Sequence, residues 1–271
     1  MNLTDIPIGI GTWFLGEDRR KRNSEIAAIR RGLDLGLRVV DTAEMYGSGA
    51  SEKLVGEAIA GRRDDVFLVS KVLPSNASAS GVRRALEASL YRLNTDRLDL
   101  YLYHWRGHHR LEETVEALQA AVDDGLIGAW GVSNFDPADM DDLADLGATP
   151  ATNQILYNLL RRGPEYDLLP LMRERGVELM AYSPLEQGRL FQGQAGKLLS
   201  EIAAEAGTTP AALALAWAVR EPGSIAIPRT SSPERMEENA SALQVTLTPE
   251  ILRDLDEVFA PPSGPRPLEI L

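Results

Sequence analysis

The chain alternates between two kinds of segment, and that alternation limits its fold more than any other feature. Apolar runs rich in Val, Ile, Leu and Tyr occupy residues 6–13, 38–43, 66–72, 98–104, 128–135, 152–158, 178–185 and 224–230. Most are near-continuously apolar, as strands are when both faces of a parallel sheet are covered. Helical periodicity lies between them. Ile26, Ile29 and Leu33 form one stripe; Leu111, Val115, Leu118 and Val122 form another, with Gly125 as its stop. Residues 165–175 and 196–206 read the same way, and Gly176 and Gly207 end them. A parallel strand needs a crossover helix before the next strand can pair with it. Eight such units in 271 residues predict a (β/α)8 TIM barrel, one domain over residues 1–271, closed by a C-terminal helix and a short irregular tail.

The alternative architecture is a doubly wound open sheet, which calls for a phosphate-binding glycine loop after the first strand. Gly9, Gly11 and Gly16 give a superficial match, but Trp13 and Phe14 are bulky and a charged stretch follows, so the barrel is the expectation.

Composition narrows the chemistry. The chain has no cysteine, which removes thiolate nucleophiles, disulfides and zinc–thiolate clusters. Three histidines leave little for a metal site, and none is expected. Forty acidic against 28 basic residues give a net charge of −12, unsuited to a nucleic-acid binder. There is no leader-like segment and no membrane-length apolar run, so the expected location is cytoplasmic, without membrane or nucleic-acid partners and as a monomer.

Chemistry on such a barrel sits at the C-terminal ends of the strands. The polar residues there are Asp41, Lys71, His104, Ser133 with Asn134, Gln154, Tyr182 with Ser183, and Arg229 with Thr230. Lys71 stands out, because the chain holds only four lysines and this one lies inside an apolar run. A buried ammonium needs a partner, and Asp41 on the neighbouring strand is the natural one. Alone, the pair reads equally well as a structural tie between strands. Tyr46, five residues beyond Asp41, changes that balance. A phenol has an ordinary pKa near ~10, and a nearby ammonium favours its ionised form. Tyr46, Lys71, Asp41 and His104 together suit acid–base work on a carbonyl/alcohol pair.

These residues sit in strings that resemble the aldo-keto reductase superfamily over nearly the whole chain: GIGTW at 9–13, DTAEMYG at 41–47, LVSKV at 68–72, HW at 104–105, GVSNF at 131–135, NQ at 153–154, YSPL at 182–185 and IPRTSSPERMEEN at 227–239. The resemblance implies an oxidoreductase reducing aldehydes and ketones with NADPH. It implies a catalytic tetrad of Asp41, Tyr46, Lys71 and His104. Tyr46 would donate the proton, Lys71 paired with Asp41 would make it acidic, and His104 would place the substrate oxygen. Gly11, Thr12 and Trp13 would border the cofactor. Ser133, Asn134 and Gln154 would hold the nicotinamide carboxamide, Tyr182 would stack on its ring, and Ser183 and Leu185 would lie under the pyrophosphate. Arg229, Thr230 and Arg235 would contact the 2′-phosphate, with Glu238 and Asn239 at the adenine.

The last string also carries a local signal of its own. Ser231 and Ser232 are candidate N-caps, Pro233 suits a first helical turn, and Ser231 with Glu234 fits a capping box. A helix N-terminus there is a ready anion site. Arginine stands at 229 where the family commonly has lysine; it keeps the charge and adds bidentate geometry, so NADPH is expected over NADH.

Trp13, Met45, Tyr46, His104 and Trp105, with Phe14 beside them, are the expected substrate pocket. Its aromatic character suits small aldehydes, methylglyoxal-like dicarbonyls or aryl carbonyls. The segment 154–170 resembles bacterial members described as methylglyoxal or general aldehyde reductases. The short stretch after Asn239 implies an open site, with the proline-rich 261–267 running irregularly over the surface, and an N-terminal hairpin plugging the barrel is mostly absent. Two other readings use the same residues: a metal-dependent hydrolase built on Asp41, Glu44 and His104, and a non-enzymatic NADPH-binding subunit.

Overall fold

The computed structural model describes residues 3–271. Among them are eight parallel strands: β1 (Ile10–Gly11), β2 (Val39–Asp41), β3 (Phe67–Val72), β4 (Leu98–Tyr103), β5 (Ile127–Ser133), β6 (Thr152–Leu156), β7 (Glu178–Tyr182) and β8 (Ser224–Ala226). They pair in sequence order. Parallel bridges Ile8–Ala226 and Gly11–Arg229 join the last strand to the first. The Gly9 and Gly11 amides donate to the Ala226 and Pro228 carbonyls at 2.8 and 3.0 Å. The sheet therefore closes into the expected (β/α)8 barrel, and the open doubly wound alternative is excluded. Closure depends on Gly11, where a Cβ would stand 2.6 Å from the Ile227 carbonyl oxygen.

The helices are α1 (Arg22–Asp34), α2 (Ala50–Ala58), α3 (Ala79–Leu93), α4 (Leu111–Asp123), α5 (Pro137–Asp145), α6 (Leu168–Glu174), α7 (Gly193–Glu205), α8 (Pro210–Ala218), α9 (Pro233–Ser241) and α10 (Pro249–Val258). Gly125, Gly176 and Gly207 have left-handed backbone just past α4, α6 and α7, as helix stops require. The helix expected at 165–175 is shorter, because a 3-10 turn at Gly163–Glu165 comes first and Asp167 caps the chain at Leu168. The helix expected at 196–206 starts a turn earlier, at Gly193. Helix α8 had no expectation: its sequence PAALALAWA is apolar all round and every residue after Pro210 is buried, so it carries no stripe to read.

Strand alternation sorts the core into two layers. Val40, Leu68, Tyr101, Tyr103, Trp130 and Val132 point outward to the helices. Val39, Val69, Leu100, Leu102, Met180, Ile225 and Ile227 fill the barrel interior, where Leu3 joins them. That leucine packs into the interior, and the Thr4 hydroxyl donates to Glu178 at the start of β7 at 2.8 Å.

Candidate active site

The interior parity runs straight into the site. Continuing upward by two from Val39, Val69 and Leu102 gives Asp41, Lys71 and His104; the same step from Gly131, Thr152 and Met180 gives Ser133, Gln154 and Tyr182. A side chain repeats its direction every second residue along a strand. The strand-end polar residues are thus the top layer of a barrel whose lower layers are aliphatic.

Lys71 lies at the centre and is wholly buried. Its Nζ donates to Asp41 Oδ1 and Oδ2 at 2.8 and 2.7 Å, to the Thr42 carbonyl at 2.8 Å and to the Tyr46 hydroxyl at 3.1 Å. Burial pulls the lysine down and pushes Asp41 up, and each partner's charge opposes the shift. A buried charge pair is tolerable when its remaining donors and acceptors are filled, and here they are.

Tyr46 begins a 3-10 turn, Tyr46–Gly49, in which Gly47 and Gly49 take left-handed backbone. Buried hydroxyls tie this region to the strands. Thr12 Oγ1 donates to the Asp41 carbonyl at 2.8 Å, and Ser51 Oγ, at the start of α2, donates to Thr12 Oγ1 at 2.8 Å. The lysine was expected to make Tyr46 acidic. The structure shows the opposite for the resting protein: burial, then the Asp41 carboxylate, holds the phenol well above its ordinary range. The Lys71 charge is largely matched by Asp41, so little of it reaches the phenol. Because the Tyr46 oxygen accepts from Lys71, its own proton points elsewhere, and Tyr46 lines the cavity.

His104 is also buried, its ring edge-on to Tyr46 with centroids 6.0 Å apart. Burial and then Lys71 lower its pKa well below the usual value, so the imidazole is neutral. Its Nδ1 has no partner among the described residues. Asn134, in left-handed backbone, donates Nδ2 to the His104 carbonyl at 3.1 Å and to Ser133 Oγ at 3.0 Å, while Tyr182 Oη donates to Asn134 Oδ1 at 3.0 Å.

Above these residues opens a cavity of about 1000 Å³. Every residue expected at the site lines it except Lys71, which lies beneath. At one end stand Trp13, Phe14, Met45 and Trp105; Trp13 and Phe14 stack with ring centroids 4.4 Å apart. At the other end is the start of α9, with Arg229, Arg235, Glu238 and Asn239. Its cap is Ser232, whose Oγ accepts from the Arg235 amide at 3.3 Å. The capping box expected on Ser231 is therefore corrected by one residue: Pro233 takes the first helical position, and the Glu234 carboxylate meets the Ser232 hydroxyl instead of closing a box. The side chains of Arg229 and Arg235 are exposed and, among the described residues, make no hydrogen bond or ion pair. In a chain that pairs most of its arginines, two with free side chains beside a helix N-terminus suit an anionic ligand.

Three parts of the wall escaped the sequence reading. The loop after β7 contributes Pro184, Gln187, Gly188 and Phe191. Its left-handed residues Ser183, Glu186 and Gln187 are held by the buried Glu186 carboxylate, which accepts from Asn158 at 2.8 Å, Arg161 at 2.9 Å and Arg189 at 3.1 Å. Pro210 and Ala211 at the start of α8 form a second part. The third is the tail. Residues 261–267 are irregular as expected, but Glu269 then pairs with Arg161, the Leu271 amide donates to Tyr182 Oη at 3.3 Å, and Ile270 and Leu271 reach the cavity. The rim on that side is covered, not open as expected. The hydrolase alternative fails on geometry: Glu44 accepts from the Leu73 amide at 2.6 Å and Asn76 at 3.1 Å, turned into the loop after β3, while Asp41 is occupied by Lys71.

A closed eight-stranded barrel with this layer of polar strand ends has the architecture of a (β/α)8 enzyme. The aldo/keto reductase family model matches residues 7–260. The chain is 47% identical over 268 residues to methylglyoxal reductase YeaE of Escherichia coli K12, spanning 97% of this chain and 94% of that protein. Crystal structures of an aldo/keto reductase from Klebsiella pneumoniae, one with NADP and acetate and one with NADPH, each superpose with a TM-score of 0.93 at 46% identity, covering 98% of this chain and 95% of theirs. The chain belongs to the aldo/keto reductase family.

Proposed function

We propose that this protein reduces aldehydes and ketones to alcohols with NADPH, and that Asp41, Tyr46, Lys71 and His104 perform the proton chemistry. The observation that carries the reading is the Lys71–Tyr46 contact of 3.1 Å at the floor of a cavity that ends at two unpaired arginines. NADPH binding by the Klebsiella relatives supports the cofactor, and the residues here fit it. Arg229 and Arg235 with the α9 N-terminus suit the 2′-phosphate, and Thr230, Glu238 and Asn239 suit the adenosine. Ser183 and Leu185 border the path of the pyrophosphate. Gly11, Thr12, Trp13, Ser133, Asn134, Gln154 and Tyr182 surround the nicotinamide end.

When bound, NADPH supplies the hydride to the carbonyl carbon. The protein supplies the proton. Tyr46 is held protonated at neutral pH, and with its oxygen accepting from Lys71 its hydroxyl is free to donate to a ligand in the cavity. As that proton moves to the carbonyl oxygen, negative charge grows on the phenol oxygen, where the Lys71 ammonium already donates a hydrogen bond. Asp41 keeps that ammonium charged and in place. Neutral His104, beside Tyr46, hydrogen-bonds the substrate oxygen without competing for the proton.

Trp13, Met45 and Trp105 give the substrate end an apolar, uncharged wall, which favours small dicarbonyls such as methylglyoxal and aryl aldehydes over anionic sugars. The YeaE relative is a methylglyoxal reductase. We further read the protein as a cytoplasmic monomer with no nucleic-acid partner; no described helix is long and apolar enough to cross a membrane. The test is NADPH consumption with methylglyoxal and a panel of aldehydes and ketones, in the wild type and Tyr46→Phe. Turnover in the wild type and its loss in the variant are expected. Tight NADPH binding with no turnover on any carbonyl would sink the enzyme reading.

A further inference from the structure

Asp41 has one partner more than its ion pair requires. Gln154, in the middle of β6, reaches across the barrel and donates Nε2 to Asp41 Oδ1 at 2.8 Å. The same Nε2 packs tightly against Met180 Sδ on the neighbouring strand. A carboxylate can only accept, so the nitrogen of this amide must face Asp41 and the oxygen must face away. Gln154 Oε1 has no partner among the described residues, and Gln154 lines the cavity. The neighbouring polar groups are committed inward: Ser133 Oγ donates to the Gln154 carbonyl at 2.8 Å, and both Asn134 Nδ2 hydrogens are used within the protein.

On the reductase reading above, we infer that Gln154 is a positioning residue for the proton donor. Its Nε2 fixes the Asp41 carboxylate, and through it Lys71 against the Tyr46 hydroxyl, while its Oε1 is left for the carboxamide contact that the resemblance already implies. One side chain thus spans the gap between cofactor and acid–base pair. Gln154 also helps keep Asp41 ionised against its burial. The titratable groups around position 154 are Asp41 from β2, Lys71 from β3, His104 from β4, Tyr182 from β7 and Tyr46 from the 3-10 turn. At the cavity β1 and β5 present Gly11 and Ser133, and Ile227 follows β8.

The test compares Gln154→Met and Gln154→Glu at saturating NADPH across pH, with cofactor Kd measured separately by fluorescence. Losing a hydrogen bond to a charged group is expected to lower kcat about tenfold in Gln154→Met at every pH. In Gln154→Glu a protonated carboxyl donates to Asp41 as the amide does, so kcat is expected to exceed that of Gln154→Met at acid pH. It falls as pH rises through the pKa of that acid, when two carboxylates share one ammonium. Wild-type kcat and pH profile in both variants, with only NADPH Kd weakened, would overturn the inference and leave Gln154 a cofactor contact. If Gln154→Met fails to fold, Gln154→Asn keeps the amide but falls one methylene short. It is expected to lose kcat likewise, and wild-type kcat from it overturns the inference. Absence of NADPH-dependent reduction in the wild type would instead overturn the reductase reading.

Discussion

On the proposed mechanism, Tyr46 stands where losing its proton is hard at rest and easier when the proton has a carbonyl to go to. Tyr46→Phe keeps the ring and removes the proton, so reduction is expected to fall ~100- to 10,000-fold with NADPH Kd nearly unchanged. A smaller fall in kcat would assign the proton to another group. Lys71→Met leaves Asp41 charged and buried, which is expected to cost about 3–5 kcal/mol of stability. The double variant Lys71→Met/Asp41→Leu removes both charges and is expected to recover much of it in urea unfolding. A double variant no more stable than the single would show that packing, not the stranded carboxylate, sets the cost. His104 is neutral in the folded protein where a free imidazole, with a pKa near 6.5, begins to protonate. The unfolded chain then binds the extra proton, so this group weakens folding progressively as pH falls below 6.5 and has no effect above it. The kcat profile should accordingly show no limb near 6.5.

Elements place these residues, and two of them carry testable detail. Helix α9 presents its N-terminus and Arg235 to the cavity beside Arg229. Arg229→Ala and Arg235→Ala are each expected to weaken NADPH while leaving NADH almost untouched; equal losses for both cofactors would remove the arginines from the 2′-phosphate. The loop after β7 depends on Glu186. Burial alone would raise this carboxyl, but hydrogen bonds from Arg161, Asn158 and Arg189 outweigh it and hold it below its ordinary 4.5. Its stabilisation is present above pH 4.5 and is lost as pH falls through the lowered value. Glu186→Gln should therefore loosen the loop at neutral pH, seen as faster backbone hydrogen exchange over 183–191. Strand ends and α9 were legible in the sequence because parity and capping are local rules. The β7 loop, α8 and the tail were not. Glu186 finds Asn158 and Arg161 across 28 and 25 residues, α8 has no polar face, and Glu269 meets Arg161 across 108 residues. The shift in Tyr46 was misread for the same reason: it depends on how much of the Lys71 charge Asp41 consumes.

At the scale of the molecule, barrel closure and charge set the remaining behaviour. Gly11 lies where β1 meets β8, and a side chain there would strike the Ile227 carbonyl. Gly11→Val should be among the more damaging substitutions outside the proton chemistry, lowering Tm and cofactor affinity together. The charge of −12 acts differently. An incoming phosphate group meets a repulsive field over most of its approach and attraction only near Arg229 and Arg235. Added salt screens the distant field first, since the Debye length is about 10 Å at 0.1 M. The rate of NADPH capture should then hold level or rise with modest salt, while its lifetime on the protein shortens. Arrival and residence would answer to charges of opposite sign, so an affinity measured at one ionic strength would conceal two trends that run against each other.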